Sequence, residues 1–299
     1  MVTILDFLKS NFSKDVYDVK PITGGERSKA FIFESTDKKY IFRENRHEIG
    51  FKKDNYAADN FGKNVPIPKI LKIGPFENHY YAISEYCEGN SLNGSGDKFS
   101  KELVNNLLLT LDQIHSISIG NGGYGIADSE GKATYSSWEE WVLKDTTVVT
   151  KDDGNYFTWE EVTKIPFVKE EIINILFKEI EKLLLYIPKK RYLIHGDFAT
   201  GNVMVKDNSV TGVIDWNEFG YGDFLYDVAW LDFWINGNDF AGAYKSHIEE
   251  MGMDMSDFEK RIRCHQLFIG LTALGIYAAL NLKEVYLSTL DKVKCIITL

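Results

Sequence analysis

The feature that most constrains the fold is a stretch near the middle of the chain in which short apolar runs alternate with polar residues. An apolar run at 192–194 leads into the loop H-G-D-F-A-T-G-N at 195–202, and further apolar runs lie at 203–205 and 210–214. Turn-forming residues separate the last two runs, which favours a β-hairpin, and Asp215 follows directly. This order predicts that three oxygen-bearing side chains lie at one edge of a small sheet.

The spacing of the polar residues in this stretch indicates phosphoryl transfer. Asp197 and Asn202 are spaced as in the loop H-x-D-x-x-x-x-N, and Asp215 follows where a second metal-binding carboxylate is expected. A carboxylate must accept the proton of the attacking hydroxyl, and Mg²⁺ prefers hard oxygen ligands that leave room for substrate phosphates. The alternative, a chance loop followed by an ordinary turn residue, is disfavoured because both motifs occur in this order and context.

Composition and charge exclude several classes of protein. The net charge of −10 argues against nucleic acid as the main partner, because binding to phosphate backbones needs a basic stripe. The three cysteines, Cys87, Cys264 and Cys295, have neither paired nor metal-type spacing, which suits a reducing cytosol. Residues 1–12 carry charges within their apolar pattern and favour an amphipathic helix over a signal peptide. The apolar stretch at 267–282 is too short and too punctuated to span a bilayer, so we expect a cytoplasmic protein without a membrane partner.

Residues 18–86 are rich in short β-type runs, with one helical pattern at 47–61 between the third run and the fourth. The runs lie at 19–22, 30–34, 39–43, 70–73 and 80–86. Long helical periodicity follows, and Ser100 and Ser137 are expected to cap two of the helices. Helices are expected at 98–117, 137–144, 169–186, 223–235 and 254–282.

These patterns predict an α+β fold with two lobes. A small N-terminal lobe at residues 1–86 would contain an antiparallel β-sheet with one helix and would bind the nucleotide. A glycine-containing hinge at 87–97 would lead to a larger, mainly helical C-terminal lobe at 98–299 with the catalytic and acceptor-binding residues. The segment 145–168 shows no readable pattern.

Six segments resemble the aminoglycoside phosphotransferase family, whose members have the bilobal protein-kinase-like fold. They lie at 24–31, 50–56, 65–74, 135–138, 195–202 and 214–229. Within that family they are most similar to the branch that acts on hygromycin B. The resemblance implies a kinase that transfers the γ-phosphoryl group of ATP or GTP to a hydroxyl of a cationic aminoglycoside and thereby inactivates the antibiotic.

The resemblance implies a role for each residue that matches a family motif. Asp197 would be the catalytic residue that positions the acceptor hydroxyl and accepts its proton. Asn202 and Asp215 would hold Mg²⁺ between the phosphates. Gly25 and Ser28 would lie over the nucleotide phosphates, although the segment has only two adjacent glycines and lacks the pattern G-x-G-x-x-G.

Four further residues of the small lobe are implied in nucleotide binding. Arg43 stands where kinases usually have lysine, and a guanidinium can bind phosphates through two parallel hydrogen bonds. Asp54 stands at the place of the usual glutamate partner. The alternative is that this pair consists of solvated surface charges. Glu85 and Cys87 belong to the hinge, whose backbone would bind the purine. Because side chains matter less there, the sequence does not distinguish ATP from GTP as the donor.

The acceptor site is predicted from charge. The stretch 215–239 contains six carboxylates and neither lysine nor arginine, and such a field attracts a polyamine-like sugar. Glu218 and Asp232 are the candidate ligands, and Trp234 would form an apolar wall beneath a sugar ring. The alternative is that these carboxylates form an ordinary solvated face.

Other residues near the motif receive structural or open interpretations. Asp223 and Asp227 are assigned to helix capping and catalytic-loop support in preference to substrate binding. His115 ends an apolar helix, where packing is favoured over catalysis. Trp138, Glu139 and Trp141 belong to an inserted region that would help to line the acceptor cleft.

Alternative functions remain open from the sequence. One alternative keeps the phosphotransfer chemistry but has a macrolide, an amino alcohol or another sugar as the acceptor. Another is a nucleotide-binding module without catalysis. Protein-kinase activity is disfavoured, because the chain at 215–223 is too short for a phosphorylated activation loop and the motif A-P-E is missing from the sequence.

Overall fold

The computed structural model resolves into two compact units. The residues that it describes are 3–22, 29–92, 99–145, 148–150, 156–251 and 255–298. The first unit comprises Met1–Gly94, Asp128–Gly131 and Gly201–Asn217, and the second comprises Ser95–Ala127, Lys132–Thr200 and Glu218–Leu299. The lobe boundaries expected from the sequence remain a prediction.

The secondary-structure elements are numbered here in chain order. The strands are β1 (Tyr17–Ile22), β2 (Lys29–Ser35), β3 (Lys38–Asn45), β4 (Ile70–Phe76), β5 (His79–Glu85), β6 (Asn90–Ser91), β7 (Gly125–Ile126), β8 (Val148–Thr150), β9 (Tyr156–Thr158), β10 (Tyr192–Ile194), β11 (Val203–Lys206), β12 (Ser209–Val213) and β13 (Gly220–Gly222). The helices are α1 (Ile4–Asn11), α2 (Ile49–Phe61), α3 (Lys101–His115), α4 (Trp138–Asp145), α5 (Trp159–Thr163), α6 (Glu170–Leu184), α7 (Leu225–Trp234), α8 (Phe240–Glu250), α9 (Phe258–Ala279) and α10 (Lys283–Thr298).

The first unit contains an antiparallel sheet that, within the described residues, has five strands in the order β1-β2-β3-β5-β4. Thr36 and Asp37 join β2 to β3 with φ values of 48° and 60°, as a two-residue hairpin turn requires. Leu8 of α1 packs with the fully buried Phe33 and Phe42 of the sheet. The predicted small antiparallel sheet is confirmed, and so is its helix, since the pattern at 47–61 corresponds to α2 (Ile49–Phe61).

A second sheet of the first unit carries the hairpin expected from the sequence. Strands β11 and β12 pair in antiparallel fashion, and β6 pairs with the other edge of β11. Asp207 and Asn208 make the turn with φ values of 51° and 60°. These residue types adopt the left-handed conformation more readily than most, so the turn forms at little cost.

The second unit is mainly helical, and α6, α7 and α10 all pack against α9. Both predicted N-caps are confirmed: the Ser100 hydroxyl accepts a hydrogen bond from the Leu103 N–H at 3.1 Å, and the Ser137 hydroxyl accepts one from the Glu140 N–H at 3.0 Å. The sequence did not predict α8 or α10. The unread segment 145–168 contains β8, β9 and α5.

Helix α9 is the helix within the described residues that is long and apolar enough to cross a membrane, judged by length and composition alone. Of that apolar stretch, 67% is buried inside the protein. Arg261 and His265 of the same helix bind a buried carboxylate of the second unit, Asp223. These features agree with the buried helix predicted from the sequence.

Candidate active site

The loop that carries Asp197 is fixed through its backbone by a buried carboxylate. Asp227 of α7 is completely buried and accepts hydrogen bonds from the N–H groups of His195 and Gly196, both at 2.9 Å. His115 Nε2 lies 3.2 Å from Asp227 Oδ2. Hydrogen bonds to a buried carboxylate are short and strong, so they hold the start of the loop in one position. The predicted supporting role of Asp227 is confirmed.

Gly196 explains why the loop reads H-G-D. Its φ is 84°, and a Cβ atom built on it would lie 2.1 Å from the carbonyl oxygen of Glu218. Only glycine satisfies both the left-handed backbone and this close approach. Directly after it, the Asp197 N–H donates to His195 Nδ1 at 3.2 Å, while the Asp197 residue stays half-buried. The loop therefore holds its aspartate firmly and leaves part of it accessible.

The two predicted metal ligands lie at one end of the β11–β12 hairpin. The Ile214 N–H donates to the Asn202 carbonyl at 2.9 Å, which fixes the backbone of Asn202 opposite the residue that precedes Asp215. Asp215 is exposed and has a φ of 60°, in the left-handed region. Both residues belong to the first unit, whereas Asp197 belongs to the second.

Arg43 and Asp54 form a largely buried ion pair, with side chains 20% and 7% exposed, so the alternative of solvated surface charges is wrong. Arg43 Nη2 donates to Asp54 Oδ2 at 2.6 Å, and Asp54 Oδ1 accepts the N–H of Trp216 at 2.8 Å. Asp54 therefore links the guanidinium to the backbone that follows Asp215. Burial alone would lower the pKa of Arg43, but the charges of Asp54 and then Asp215 raise it above its ordinary value.

The structure describes only some of the other residues predicted for the nucleotide site. Gly25 and Ser28 lie outside the described residues. The Glu85 N–H donates to the Lys69 carbonyl at 3.0 Å, so the predicted hinge contact of Glu85 is limited to its carbonyl. Cys87 is half-buried, and burial followed by the charge of Glu85 raises the pKa of its thiol to about 11. The raised pKa favours the neutral thiol over the thiolate near pH 7.

Asp232, a predicted acceptor ligand, has a structural role. Its Oδ1 accepts hydrogen bonds from the N–H groups of Phe240 and Ala241 at 2.8 and 3.1 Å, and its Oδ2 accepts one from Gln266 Nε2 at 2.8 Å. The carboxylate thus accepts hydrogen bonds from backbone N–H groups at the start of α8, where such groups have no acceptor within the helix. Trp234 is half-buried, with its ring centroid 4.9 Å from that of Phe233. The substrate contacts of both residues remain predictions.

Most of the carboxylates predicted to attract the acceptor accept hydrogen bonds within the fold. Asp223 is buried, and its carboxylate accepts a hydrogen bond from Arg261 Nε at 3.0 Å and lies 3.0 Å from His265 Nε2. Four of the six carboxylates in 215–239 accept hydrogen bonds that stabilise the fold, namely Asp223, Asp227, Asp232 and Asp239. These carboxylates therefore have roles in the fold as well as contributing negative charge.

The interpretation of Trp138 and Trp141 as residues that line an open cleft does not hold. They are 2% and 4% exposed, and their rings lie 5.4 and 6.0 Å from that of Tyr226. Aromatic rings at such distances stabilise a packed interior. Both residues therefore belong to the helical core of the second unit.

Replacing Asp232 with alanine is expected to lower the free energy of unfolding by about 1–3 kcal/mol, because donors at the start of α8 lose their acceptor. Urea unfolding measures this change, and kcat and the acceptor KM should stay the same. Asp239→Ala is the matched control at the same helix end, since it removes a single exposed capping bond to Gly242. A raised acceptor KM with unchanged stability would instead establish Asp232 as a substrate ligand.

The fold and the loop geometry together define a kinase-like phosphotransferase. A family model described as the phosphotransferase enzyme family matches residues 18–250. The chain belongs to this family. It is an ATP-dependent phosphotransferase that acts on a small molecule with an alcohol group as acceptor, as the sequence resemblance implied.

Several known proteins are similar to the chain over most of its length. Hygromycin-B 4-O-kinase from Escherichia coli is 27% identical over 274 residues, which cover 90% of this chain and 76% of that protein. A crystal structure of a thermostable mutant of aminoglycoside phosphotransferase APH(4)-Ia, in ternary complex with AMP-PNP and hygromycin B, has a TM-score of 0.80 at 24% identity and covers 99% of this chain and 98% of that chain.

Two structures with other acceptors have the same fold. Spectinomycin phosphotransferase APH(9)-Ia has a TM-score of 0.64 at 18% identity and covers 97% of this chain and 92% of that chain. Choline kinase LicA from Streptococcus pneumoniae has a TM-score of 0.65 at 15% identity, and the match covers 99% of this chain and 97% of that chain. At these identities the likeness shows the fold alone, so the acceptor has to be argued separately.

Proposed function

We propose that the protein transfers the γ-phosphoryl group of ATP or GTP to a hydroxyl of an aminoglycoside like hygromycin B, in the cytoplasm, and thereby inactivates the antibiotic. The observation that carries the chemistry is the pair of 2.9 Å hydrogen bonds from His195 and Gly196 to Asp227, which support the loop that presents Asp197. The added phosphate would place negative charge on a ligand that relies on positive charge to bind RNA.

In the proposed reaction, Asp197 accepts the proton of the acceptor hydroxyl while the hydroxyl oxygen bonds to the γ-phosphorus. The bond from that phosphorus to the β–γ bridging oxygen breaks, and the nucleoside diphosphate leaves with the electron pair. Arg43 binds phosphate oxygens, and Asp54 holds its guanidinium at 2.6 Å. Positioning and electrostatics supply most of the rate enhancement, because phosphoryl transfer needs little covalent help from the protein.

The residues at the end of the hairpin suit a magnesium ion. Asn202 and Asp215 offer an amide oxygen and a carboxylate, both hard ligands. No group of three or more histidine, cysteine, aspartate or glutamate side chains among the described residues is arranged to hold a metal by itself. Mg²⁺ commonly takes one or two carboxylates and completes its shell with water and substrate phosphates. Bound there, it would neutralise charge on the transferred group.

The proposed acceptor class rests on the relatives and on one residue of this chain. The 27% identical relative is a hygromycin-B 4-O-kinase, and APH(4)-Ia has been crystallised with a nucleotide and hygromycin B. In this chain the backbone of Glu218 lies directly against Gly196, next to Asp197 in sequence. We therefore assign the first contact with a cationic sugar amine to Glu218, ahead of Asp232 and Trp234.

The acceptor is tested by measuring Mg-ATP and Mg-GTP consumption by the purified protein with hygromycin B, spectinomycin, a macrolide and choline. We expect acceptor-dependent turnover with hygromycin B, because the 27% identical relative is a hygromycin-B 4-O-kinase. Turnover with choline or the macrolide alone would retain the phosphotransferase and reject the aminoglycoside. Glu218→Gln should raise the KM for hygromycin B and leave the KM for ATP unchanged, which separates acceptor binding from nucleotide binding.

A further inference from the structure

A short turn at Asp128–Gly131 groups with the first unit, which also contains α2. Asp128 builds the turn: its side chain accepts the N–H of Glu130 at 2.8 Å, and its carbonyl accepts the N–H of Gly131 at 3.1 Å. Gly131 has a φ of 74°, which residues with a Cβ rarely adopt. The turn is thus a defined structure held by its own hydrogen bonds.

Gly131 packs directly on Tyr56 of α2. A Cβ atom built on Gly131 would lie 2.1 Å from both Cζ and Oη of the Tyr56 ring. Real side chains do not approach so closely, so the backbone of the turn touches the outer end of the Tyr56 side chain, and a methyl group on residue 131 would displace that side chain. Glycine is therefore needed here for two reasons, the backbone conformation and the contact with α2.

From Tyr56, packed side chains lead to the phosphate-binding pair within the same unit. The ring centroids of Tyr56 and Phe61 are 5.9 Å apart, and those of Phe61 and Trp216 are 5.7 Å apart. Trp216 is fully buried, and its backbone N–H donates a hydrogen bond to Asp54 Oδ1 at 2.8 Å. Asp54 in turn binds Arg43 at 2.6 Å. A displacement of Tyr56 would thus be transmitted to the guanidinium through this series of contacts.

We propose that the turn Asp128–Gly131 is a positioning element for nucleotide binding. It holds α2 in place so that Asp54 keeps the Arg43 guanidinium aimed at the phosphates, and this inference rests on the proposed role of Arg43. In a chain whose 215–223 segment is too short for a phosphorylated activation loop, a fixed contact of this kind keeps α2 permanently in its binding position.

The test is Gly131→Ala in the full-length protein. We expect its Kd for Mg-ATP to rise roughly 10-fold or more, because a misplaced guanidinium makes weaker charge-assisted hydrogen bonds to the phosphates, with the acceptor KM unchanged. Gly120→Ala is the matched control, because Gly120 is exposed and a Cβ built on it meets no atom within 4 Å. Its Kd should equal that of the wild type.

Tyr56→Ala provides a second route if Gly131→Ala folds poorly. It removes the contact from the helix side and should also raise the Kd for Mg-ATP. In the double variant the alanine methyl at 131 has room, so the two effects should not add. Fully additive effects would overturn the proposed contact between the two residues.

Arg43→Ala separates this inference from the proposed function. If Arg43→Ala leaves the Kd for Mg-ATP unchanged, the proposed role of Arg43 is wrong. If Arg43→Ala weakens binding while Gly131→Ala and Tyr56→Ala do not, the positioning role of the turn is overturned. A lower Tm of Gly131→Ala with an unchanged Kd would likewise overturn it, since the turn would then stabilise the fold without orienting Arg43.

Discussion

Replacing Asp197 with alanine is expected to lower kcat by at least about 100-fold, the usual scale for a positioned general base. The side chain is half-buried, and its backbone N–H is bound to His195 Nδ1 at 3.2 Å. Alanine preserves that backbone bond and removes only the carboxylate. The Kd for Mg-ATP should therefore change little, and the loss should appear in the chemical step. Single-turnover kinetics with saturating nucleotide and acceptor measure it.

Two variants control for loss of charge and loss of fold. Asp197→Asn keeps the size of the side chain and removes its basicity, so it should be nearly as impaired as the alanine variant. Asp239→Ala removes an exposed carboxylate of the same unit that caps α8, and its kcat should match that of the wild type. Near-normal turnover of Asp197→Ala would show that another group accepts the proton.

Replacing Asp223 with alanine is expected to reduce the free energy of unfolding by about 3–5 kcal/mol, because it leaves a buried cation without its partner. Asp223 and Arg261 are 1% and 5% exposed, so water cannot replace the lost interaction. The exposed pair of Asp291 and Lys294 is the matched control, and Asp291→Ala should change stability by less than about 1 kcal/mol. Urea unfolding at pH 7 compares the two. If both variants lowered the free energy of unfolding by the same amount, the pair of Asp223 and Arg261 would be no stronger than a solvent-exposed pair.

The same pair predicts how stability depends on pH. Burial raises the pKa of Asp223, but the hydrogen bonds from His265 and Arg261 outweigh burial and hold the pKa below its ordinary value. A carboxylate with a depressed folded-state pKa stabilises the fold fully above the unfolded pKa of about 3.9, and this contribution is lost as the pH falls towards the folded value. The stability difference between the wild type and Asp223→Ala should therefore stay constant from pH 7 to about pH 5 and shrink below about pH 4. A difference that shrank as the pH rose would contradict this assignment.

The parts of the site that could be predicted from the sequence are local in the chain. Asp197 and Asn202 lie in one loop, and Asp215 ends the hairpin that follows, so their spacing alone indicates the chemistry. The antiparallel sheet could be predicted for the same reason, since adjacent strands are joined by short turns such as Thr36–Asp37. Local propensity and pattern decide these elements.

Asp227 and Asp54 could be predicted as supporting residues, but the atoms that they bind could not, because those partners are distant in sequence. His115 and Asp227 are 112 residues apart, and Asp54 and Trp216 are 162 residues apart. Such pairs form only after helices pack, and a single sequence carries no signal for them. Asp232 shows the consequence. Its charge suggested a substrate ligand, and nothing in the sequence indicated that its carboxylate also binds the start of a helix, α8, that the pattern had not predicted.

The most direct test of the proposed function is mass spectrometry of hygromycin B after incubation with the purified protein and Mg-ATP. The mass of the antibiotic should increase by one phosphoryl group with the wild type, and no product should form with Asp197→Ala over the same time. An unchanged mass, while the wild type still binds Mg-ATP and phosphorylates another alcohol, would contradict the assignment of an aminoglycoside acceptor.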